Sequence, residues 1–136
     1  MANIIEAIIE RAKDGTYSVY CKGEIFSGAG DTIEAAKADM ARQMEFYRQT
    51  AKEEGFRYPA FLDADYEVNY TFDITSLVSY YVNSGIFSLA SLEKVTGINQ
   101  KQLWSYVNGT TPRKAQIDRI TEGFRKLRSE FDTIFA

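Results

Sequence analysis

The chain contains no histidine and a single cysteine, and these shortages remove several classes of site. Without histidine there is no imidazole general base and no Cys–His nucleophile pair, and the commonest zinc ligand sets are incomplete. Cys21 alone cannot form an internal disulfide. No run approaches the roughly 18 apolar residues of a membrane span, and the N-terminus lacks a signal-peptide pattern. We therefore expect a cytoplasmic protein that has no membrane contact, no metal and no cofactor.

The charge of the chain is unevenly distributed. The whole sequence of 136 residues has a net charge of -3 and 45% hydrophobic residues, enough to bury a core in one domain or two small ones. Residues 1–74 hold 8 Lys/Arg and 14 Asp/Glu, a net charge of -6, whereas residues 75–136 hold 8 and 5, a net charge of +3. An acidic half beside a basic half is typical of proteins in which one part meets nucleic acid.

The first half of the chain carries the signals of strands, then a helix, then a strand. Before residue 27, strand-forming residues cluster in three groups: Ile4, Ile5, Ile8 and Ile9; Tyr17, Val19 and Tyr20; Ile25 and Phe26. Asp14-Gly15 predicts the tight turn of a hairpin, and Ser27-Gly28-Ala29-Gly30 is expected to be a loose connection. The order predicted is β-β-β-α-β.

Asp31 or Thr32 is expected to cap the helix, which should end near Gly55. The residues expected on its packed face are Ile33, Ala36, Met40, Met44 and Tyr47, with Ala41 and Phe46 alongside. Residues 66–72 alternate apolar and polar side chains, which predicts a half-buried strand.

The pieces RAKDGTYSVYC and SGAGDTIEAAKADMARQM, followed by a terminal strand, resemble the HicB antitoxin family over roughly residues 3–72. The most specific piece is GDTIEAA, a glycine, a cap and a small-residue helix start. The resemblance implies a partial RNase H-like domain, which we place at residues 1–72, and a function without catalysis. Members of the family act by masking a small RNA-cleaving partner, HicA.

The RNase H likeness also raises the alternative of a metal-dependent nuclease. Glu6 and Glu10 have the spacing of one strand face, and Asp14 follows at the hairpin. Three carboxylates in a chain of nineteen do not define a site, and a solvated strand face is the favoured interpretation.

The second half of the chain predicts four helices. A first helix follows Asp73 and ends at Ser84-Gly85. In SLASLEKVTGINQKQLWSYVNG, Ser88 and Asn99 are expected to cap two short helices around a turn at Gly97, which predicts a helix-turn-helix. After Pro112, a last helix carries an apolar stripe that should complete the core and offer a dimer contact, formed by Ile117, Ile120, Phe124, Leu127 and Phe131.

The start of the second short helix and the segment after it carry the candidate DNA-binding residues. Gln pairs bidentately with adenine, while Lys and Arg reach guanine acceptors or phosphates. The candidates are Asn99, Gln100, Lys101, Gln102, Ser105, Asn108, Arg113 and Lys114. Thr110 and Thr111 could add phosphate contacts, and Trp104 is expected to be an extra core or interface aromatic residue.

The register L-x4-G-I-x4-L-x5-G looks like the lambda-repressor-like helix-turn-helix family over roughly residues 75–130. By that resemblance Gln100, Lys101 and Gln102 face bases and Asn108 binds the DNA backbone. The two resemblances together predict an α+β protein, with residues 73–136 as the DNA-binding domain.

The function expected is a HicB-like antitoxin that masks a HicA-type toxin and represses its own operon. It would bind double-stranded operator DNA as a dimer or tetramer. An orphan transcriptional regulator, whose N-terminal domain only oligomerises or binds another protein, is the main alternative.

Overall fold

The computed structural model describes residues 3–136, which form four strands and five α-helices. This composition confirms the α+β class. Two compact units divide the chain, the first ending at Asp73 and the second spanning Ile74–Ala136. Within the described residues, no helix combines the length and apolar character needed to cross a membrane.

A four-stranded mixed sheet forms the first unit's scaffold. The strands are β1 (Asn3–Arg11), β2 (Tyr17–Cys21), β3 (Ser27–Gly30) and β4 (Tyr66–Phe72), and their order in the sheet is β3-β2-β1-β4. β1 pairs antiparallel with β2 and parallel with β4, because the helix between β3 and β4 carries the chain back across the sheet. The alternating exposure of β4 confirms the half-buried strand predicted from its sequence.

The helix that covers the sheet is α1 (Ile33–Glu54). Of the two possible caps, Thr32 is the one used, since its hydroxyl accepts a hydrogen bond from the amide of Ala35 at 3.0 Å. Gly55 ends the helix in the left-handed region, as predicted. Helix and sheet enclose one core: Ala7, Ile9, Val19, Cys21, Phe26, Ala36, Met40, Met44 and Leu62.

The loose connection predicted at Ser27–Gly30 is wrong, because these residues form the edge strand β3. The reason is a close approach of strand to helix. A Cβ on Gly28 would lie 2.3 Å from the amide nitrogen of Met40, so only glycine lets β3 lie against α1. The amide of Ala29 donates to Asp39 Oδ2 at 2.9 Å and fastens the strand to the helix.

The packed face predicted for α1 was too wide. Ala41 and Phe46 are exposed, with 68% of Phe46 accessible. Ala41 follows the buried Met40 by one position and Phe46 follows the buried Met44 by two, rotations of about 100° and 200° around the helix axis. Both side chains therefore lie outside the face that meets the sheet.

A polar cluster fastens the connection between α1 and β4. Asp63, in the short 3₁₀ helix Ala60–Asp63, accepts hydrogen bonds from Tyr58 at 2.5 Å and Arg48 Nε at 2.7 Å. Lys52 Nζ lies 3.3 Å from the same carboxylate. The Tyr58 hydroxyl, followed by the Arg48 guanidinium, lowers the pKa of Asp63 to about 2.

The second unit contains the four predicted helices, which are α2 (Ile74–Asn83), α3 (Leu89–Thr96), α4 (Gln100–Val107) and α5 (Lys114–Ile134). They enclose a separate core formed by Val78, Leu92, Ile98, Leu103, Tyr106 and Ile120.

Helix α5 packs very closely on α3. A Cβ on Gly123 would lie 2.4 Å from the carbonyl oxygen of Val95, so the absence of a side chain sets the helix separation. The prediction that the stripe of α5 completes the core is wrong at Phe131, which is 49% exposed, although Phe124 packs against that core. The reason is length, because α5 runs on past the last residues that the other helices cover.

Candidate nucleic-acid interface

The turn between α3 and α4 is built from local hydrogen bonds. Ser88 Oγ accepts from the Ser91 amide at 3.0 Å, and Ser91 Oγ accepts from the Ser88 amide at 2.9 Å, so α3 begins with a reciprocal cap. Gly97 ends α3 at a φ of 74°, and its amide donates to the Glu93 carbonyl at 2.8 Å. Ile98 is buried immediately after the turn. These features fix the point at which α4 begins.

Asn99 caps α4, as predicted, because its Oδ1 accepts from the Gln102 amide at 2.8 Å. The side-chain oxygen of Asn99 is thus committed to the helix, and its amide group is the part left for a ligand. Leu103 and Tyr106 are buried on the inner face of α4. The three residues that open the helix are exposed: Gln100, Lys101 and Gln102.

The side chains of these three exposed residues differ in whether other residues of the chain hold them. Among residues 3–136, the side chains of Gln100 and Lys101 make no hydrogen bond or ion pair with another residue. Gln102 is held, because its Oε1 accepts from Gln116 Nε2 at 3.0 Å. Gln116 in turn accepts from Arg119 at 3.4 Å through its own Oε1, which fixes the direction of both amides. Gln102 therefore keeps its NH₂ donors for an outside partner.

A groove of about 490 Å³ lies between α4, the segment after it and the first turn of α5. Its polar lining consists of Gln102, Ser105, Thr110, Thr111, Arg113 and Gln116. The side chain of the N-cap residue Arg113 makes no capping hydrogen bond, and the first two amides of α5, those of Lys114 and Ala115, have no partner within the helix. Hydroxyls, amides and one guanidinium thus share a concave surface, a set of donors that suits phosphate oxygens.

The other candidate residues already have partners in the chain. Ser105 donates to the Gln102 carbonyl at 2.7 Å, and Asn108 Nδ2 donates to the Trp104 carbonyl at 2.8 Å. Lys114 Nζ lies 3.2 Å from Asp118 Oδ2, with both side chains mostly exposed. An exposed pair of this kind contributes about 0–1 kcal/mol, so a phosphate can compete for Lys114.

The electrostatic character of this surface follows from a gap in the acidic residues. Between Glu93 and Asp118 the sequence contains no Asp or Glu, but it contains four basic residues: Lys94, Lys101, Arg113 and Lys114. Because α4 and the groove lie within this segment, their local charge is positive although the whole chain is acidic.

Trp104 is not a core residue, contrary to one of its two predicted roles, because 58% of it is exposed. It follows the buried Leu103, which turns it by about 100° away from the core face of α4. A role as an interface aromatic residue stays a prediction.

Sequence reasoning missed Gln116, which lines the groove and orients Gln102. Fourteen residues separate the two amides, and no local spacing links them. The sequence signal available was only the position of Gln116 in the first turn after Pro112, where a side chain lies beside the helix start.

A second concave surface, of about 460 Å³, lies in the first unit beside the edge strand β3 and α1. Ile25 and Phe46 line it and are 74% and 68% exposed, and the polar residues Asp39 and Gln43 also line it. Large apolar side chains exposed together on an acidic domain are typical of a protein-binding surface.

The carboxylates considered for a nuclease have separate neutral partners. Glu6 accepts from Asn69 at 3.1 Å, and Glu10 accepts from the Tyr20 hydroxyl at 3.4 Å. Asp14 accepts from the Thr16 hydroxyl at 2.6 Å, a hydrogen bond that lowers its pKa. In the part of the chain that the structure describes, no group of three or more Cys, Asp or Glu side chains could hold a metal ion.

Comparison of the chain with protein-family models, with curated proteins and with solved structures finds no match. Its function must therefore be inferred from the two surfaces described above and from the resemblances of its sequence motifs.

Proposed function

We propose that the chain is a HicB-like antitoxin that also represses its own operon. In this proposal residues 1–72 form a partial RNase H-like domain that masks a HicA-type mRNA interferase, and residues 73–136 form a lambda-repressor-like helix-turn-helix domain that binds operator DNA. The observation that carries it is the exposed, carboxylate-free start of α4 beside a basic polar groove.

The start of α4 has the chemistry needed to read bases in the major groove. Gln100 and Lys101 have no partner within residues 3–136 and can adapt to a base edge without losing an internal contact. Gln102 offers two amide donors, and its oxygen keeps a second lone pair besides the one used by Gln116. A glutamine in this state can still pair bidentately with adenine.

The groove after α4 has the chemistry needed to hold the DNA backbone. Arg113 and the hydroxyls of Thr110 and Thr111 line this groove, and Lys114 follows Arg113 in the sequence. Together these groups supply charge and hydrogen bonds without base preference. The first amides of α5 add donors at the positive end of the helix dipole. Contacts of this kind to the DNA backbone position α4, and Gln100 and Gln102 then select the base sequence.

Sequence-specific repression requires more than one copy of this small domain. One domain buries too little surface for useful discrimination, whereas two half-sites about one helical turn apart roughly double the contact energy. We therefore include a homodimer or a homotetramer in the proposal.

The acidic first unit is suited to cover a basic partner. Its segment of the chain carries a net charge of -6, and the surface around Ile25 and Phe46 adds apolar area. An enzyme that cleaves RNA must hold a polyanion and presents basic residues for it. An acidic, partly apolar surface can occupy those residues and keep RNA out.

The experiment that tests the DNA-binding half measures fluorescence anisotropy with the chain's own upstream DNA and with a scrambled duplex, at two salt concentrations. Tighter binding to the upstream DNA at both salt concentrations is expected, because base contacts do not depend on counterion release. Equal affinity for the two duplexes, or loss of all binding at the higher salt, would contradict a sequence-reading repressor.

The exposed surface around Ile25 and Phe46 also suits a second candidate, an orphan regulator whose first unit binds another protein or oligomerises. Co-purification with the product of the neighbouring gene, and an assay of RNA cleavage by that product with and without the chain, separate the two. An antitoxin suppresses cleavage at equal concentrations. A chain that binds operator but leaves cleavage unchanged is the orphan regulator.

A further inference from the structure

Helix α5 belongs to the core of the second unit only along its first half. Ile120 is fully buried, and the ring of Phe124 packs on Tyr81 and Phe87 with centroids 6.3 Å and 6.1 Å away. The apolar pattern nevertheless continues for another ten residues. We call Phe124, Leu127, Phe131 and Ile134 the α5 stripe. Their spacing of three and four residues puts them on one helix face about 15 Å long.

The far part of the α5 stripe is open. Phe131 is 49% exposed and Ile134 is 68% exposed, and Phe135, which follows the helix, is 80% exposed. At the base of the stripe lies a mainly apolar groove of about 470 Å³, lined by Tyr81, Ile86, Phe87, Phe124, Leu127 and Phe131 together with Arg128. The surface therefore has both a projecting apolar end and a hollow that could receive such an end.

The charges beside the stripe are separated along the helix axis. Arg125, Lys126 and Arg128 precede Ser129, and Glu130 and Asp132 follow it. A second α5 in parallel would place like charges side by side. An antiparallel α5 would place each basic half beside an acidic half, so the charge pattern selects this orientation.

We infer that the α5 stripe pairs with the α5 stripe of a second copy of this chain, antiparallel, about a two-fold axis near Ser129. In this register Leu127 lies opposite Phe131 of the second copy, and Phe124 lies opposite Ile134. The open end of each helix thus enters the groove of the other copy. The same residues serve on both sides, as a closed two-fold interface requires.

In this register Lys126 comes beside Glu130 of the second copy on one flank, and Arg128 comes beside Asp132 on the other. Nearer the axis Arg128 and Glu130 each also meet their own equivalents, so the attraction comes from the outer pairs and from the apolar stripe between them. Within residues 3–136 neither Lys126 nor Glu130 makes an ion pair, although they are four positions apart on the helix. Arg128 lies 3.6 Å from Asp132 in its own chain, with both side chains over 70% exposed, and can exchange this partner for the equivalent one.

The inference deepens the proposed function, because it names the interface of the oligomer that the proposal requires. It is tested on the full chain without DNA, so that either can fail alone. Sedimentation equilibrium should give a dimer that dissociates on dilution. Phe131→Ser should raise the dimer dissociation constant about ten-fold or more, as expected for an aromatic residue at the centre of an interface. The matched control is Phe56→Ser, which removes an exposed phenylalanine of the first unit (61% accessible, against 49% for Phe131) outside the surface around Ile25 and Phe46, and should change nothing.

A charge reversal tests the register. Lys126→Glu should weaken the dimer, because two glutamates then meet on the same flank, and adding Glu130→Lys should restore it. Circular dichroism verifies that each variant keeps its helix content. A monomer at every concentration, a dimer indifferent to Phe131→Ser, or a double variant as weak as the single one would each overturn the inference. A normal dimer without sequence-specific DNA binding would instead contradict the proposed function alone.

Discussion

Gln116 in α5 donates a 3.0 Å hydrogen bond to the side-chain oxygen of Gln102 in α4. This bond joins the start of one helix to the start of another across the polar groove. It fixes which end of the Gln102 amide faces outward, since the oxygen is held and the NH₂ group is not. Under the proposed function, orientation of this kind would reduce the conformational entropy that Gln102 loses on contact with a base.

Replacing Gln116 should therefore affect DNA recognition through Gln102. Gln102→Ala is expected to make the free energy of operator binding less favourable by about 1–3 kcal/mol, and Gln116→Leu is expected to lose part of the same binding energy. The reason is that Gln116→Leu frees the Gln102 amide to rotate. Binding of either variant to a scrambled duplex should change little. Anisotropy titrations of the two single variants and the double variant provide the measurement. If the two effects add in full, the residues act independently and the orienting role is wrong.

Arg113 and Lys114 should act on affinity without sequence preference. Arg113→Ala and Lys114→Ala are each expected to weaken operator and scrambled DNA alike, because phosphate contacts carry no base information. Each should also reduce the slope of log affinity against log salt by about one unit, since one counterion fewer is released. The matched control is Lys22→Ala, an exposed lysine of the first unit. A slope that falls equally for Lys22→Ala would show that only net charge matters.

Gly123→Ala should destabilise the second unit, although alanine favours helix by about 1 kcal/mol over glycine. The new Cβ would lie 2.4 Å from the Val95 carbonyl oxygen, and a backbone atom cannot give way as a flexible side chain does. Separating α3 from α5 is expected to cost about 1–3 kcal/mol beyond the propensity gain. Urea unfolding measures the change. Ser129→Ala, an exposed position on the same helix, is the control and should be neutral or slightly stabilising; a stabilised Gly123→Ala would refute the steric argument.

Local signals predicted most of the elements correctly, because caps and turns are decided by neighbouring residues. Thr32, Ser88 and Asn99 each cap a helix as their side-chain chemistry predicts, and Gly97 takes the positive φ that ends α3. The α+β class follows from these elements. The burial of β4 was also predictable, since a period of two is visible in the sequence itself.

The errors came from contacts between distant parts of the chain. Ser27–Gly30 looks like a flexible segment, and only the close approach of Gly28 to Met40 makes it a strand. The amide pair of Gln102 and Gln116 joins two helices and has no local pattern. Phe131 continues the apolar pattern of α5 beyond the end of the core. Periodicity shows which helix face is apolar, but it does not show whether another element covers that face.

The Asp63 cluster should make the first unit's stability depend on acidic pH. Because the pKa of Asp63 is lowered from 3.8 to about 2, its charge stabilises the folded chain above about pH 4, and this stabilisation is lost as the pH falls towards 2. Asp63→Asn keeps the shape but removes the charge that Arg48 and Lys52 approach. Its melting temperature should be lower than that of the parent chain at pH 7, and the difference should shrink as the pH falls.

Thermal unfolding at a series of pH values between 7 and 2 measures this convergence. The matched control is Asp65→Asn, because within residues 3–136 the side chain of Asp65 makes no hydrogen bond or ion pair. This control removes one negative charge from the same region and should differ little from the parent chain at any pH. If Asp63→Asn melts below the parent chain by the same amount at every pH, the loss reflects shape and packing. The charge of Asp63 would then contribute nothing to the stability of the connection between α1 and β4.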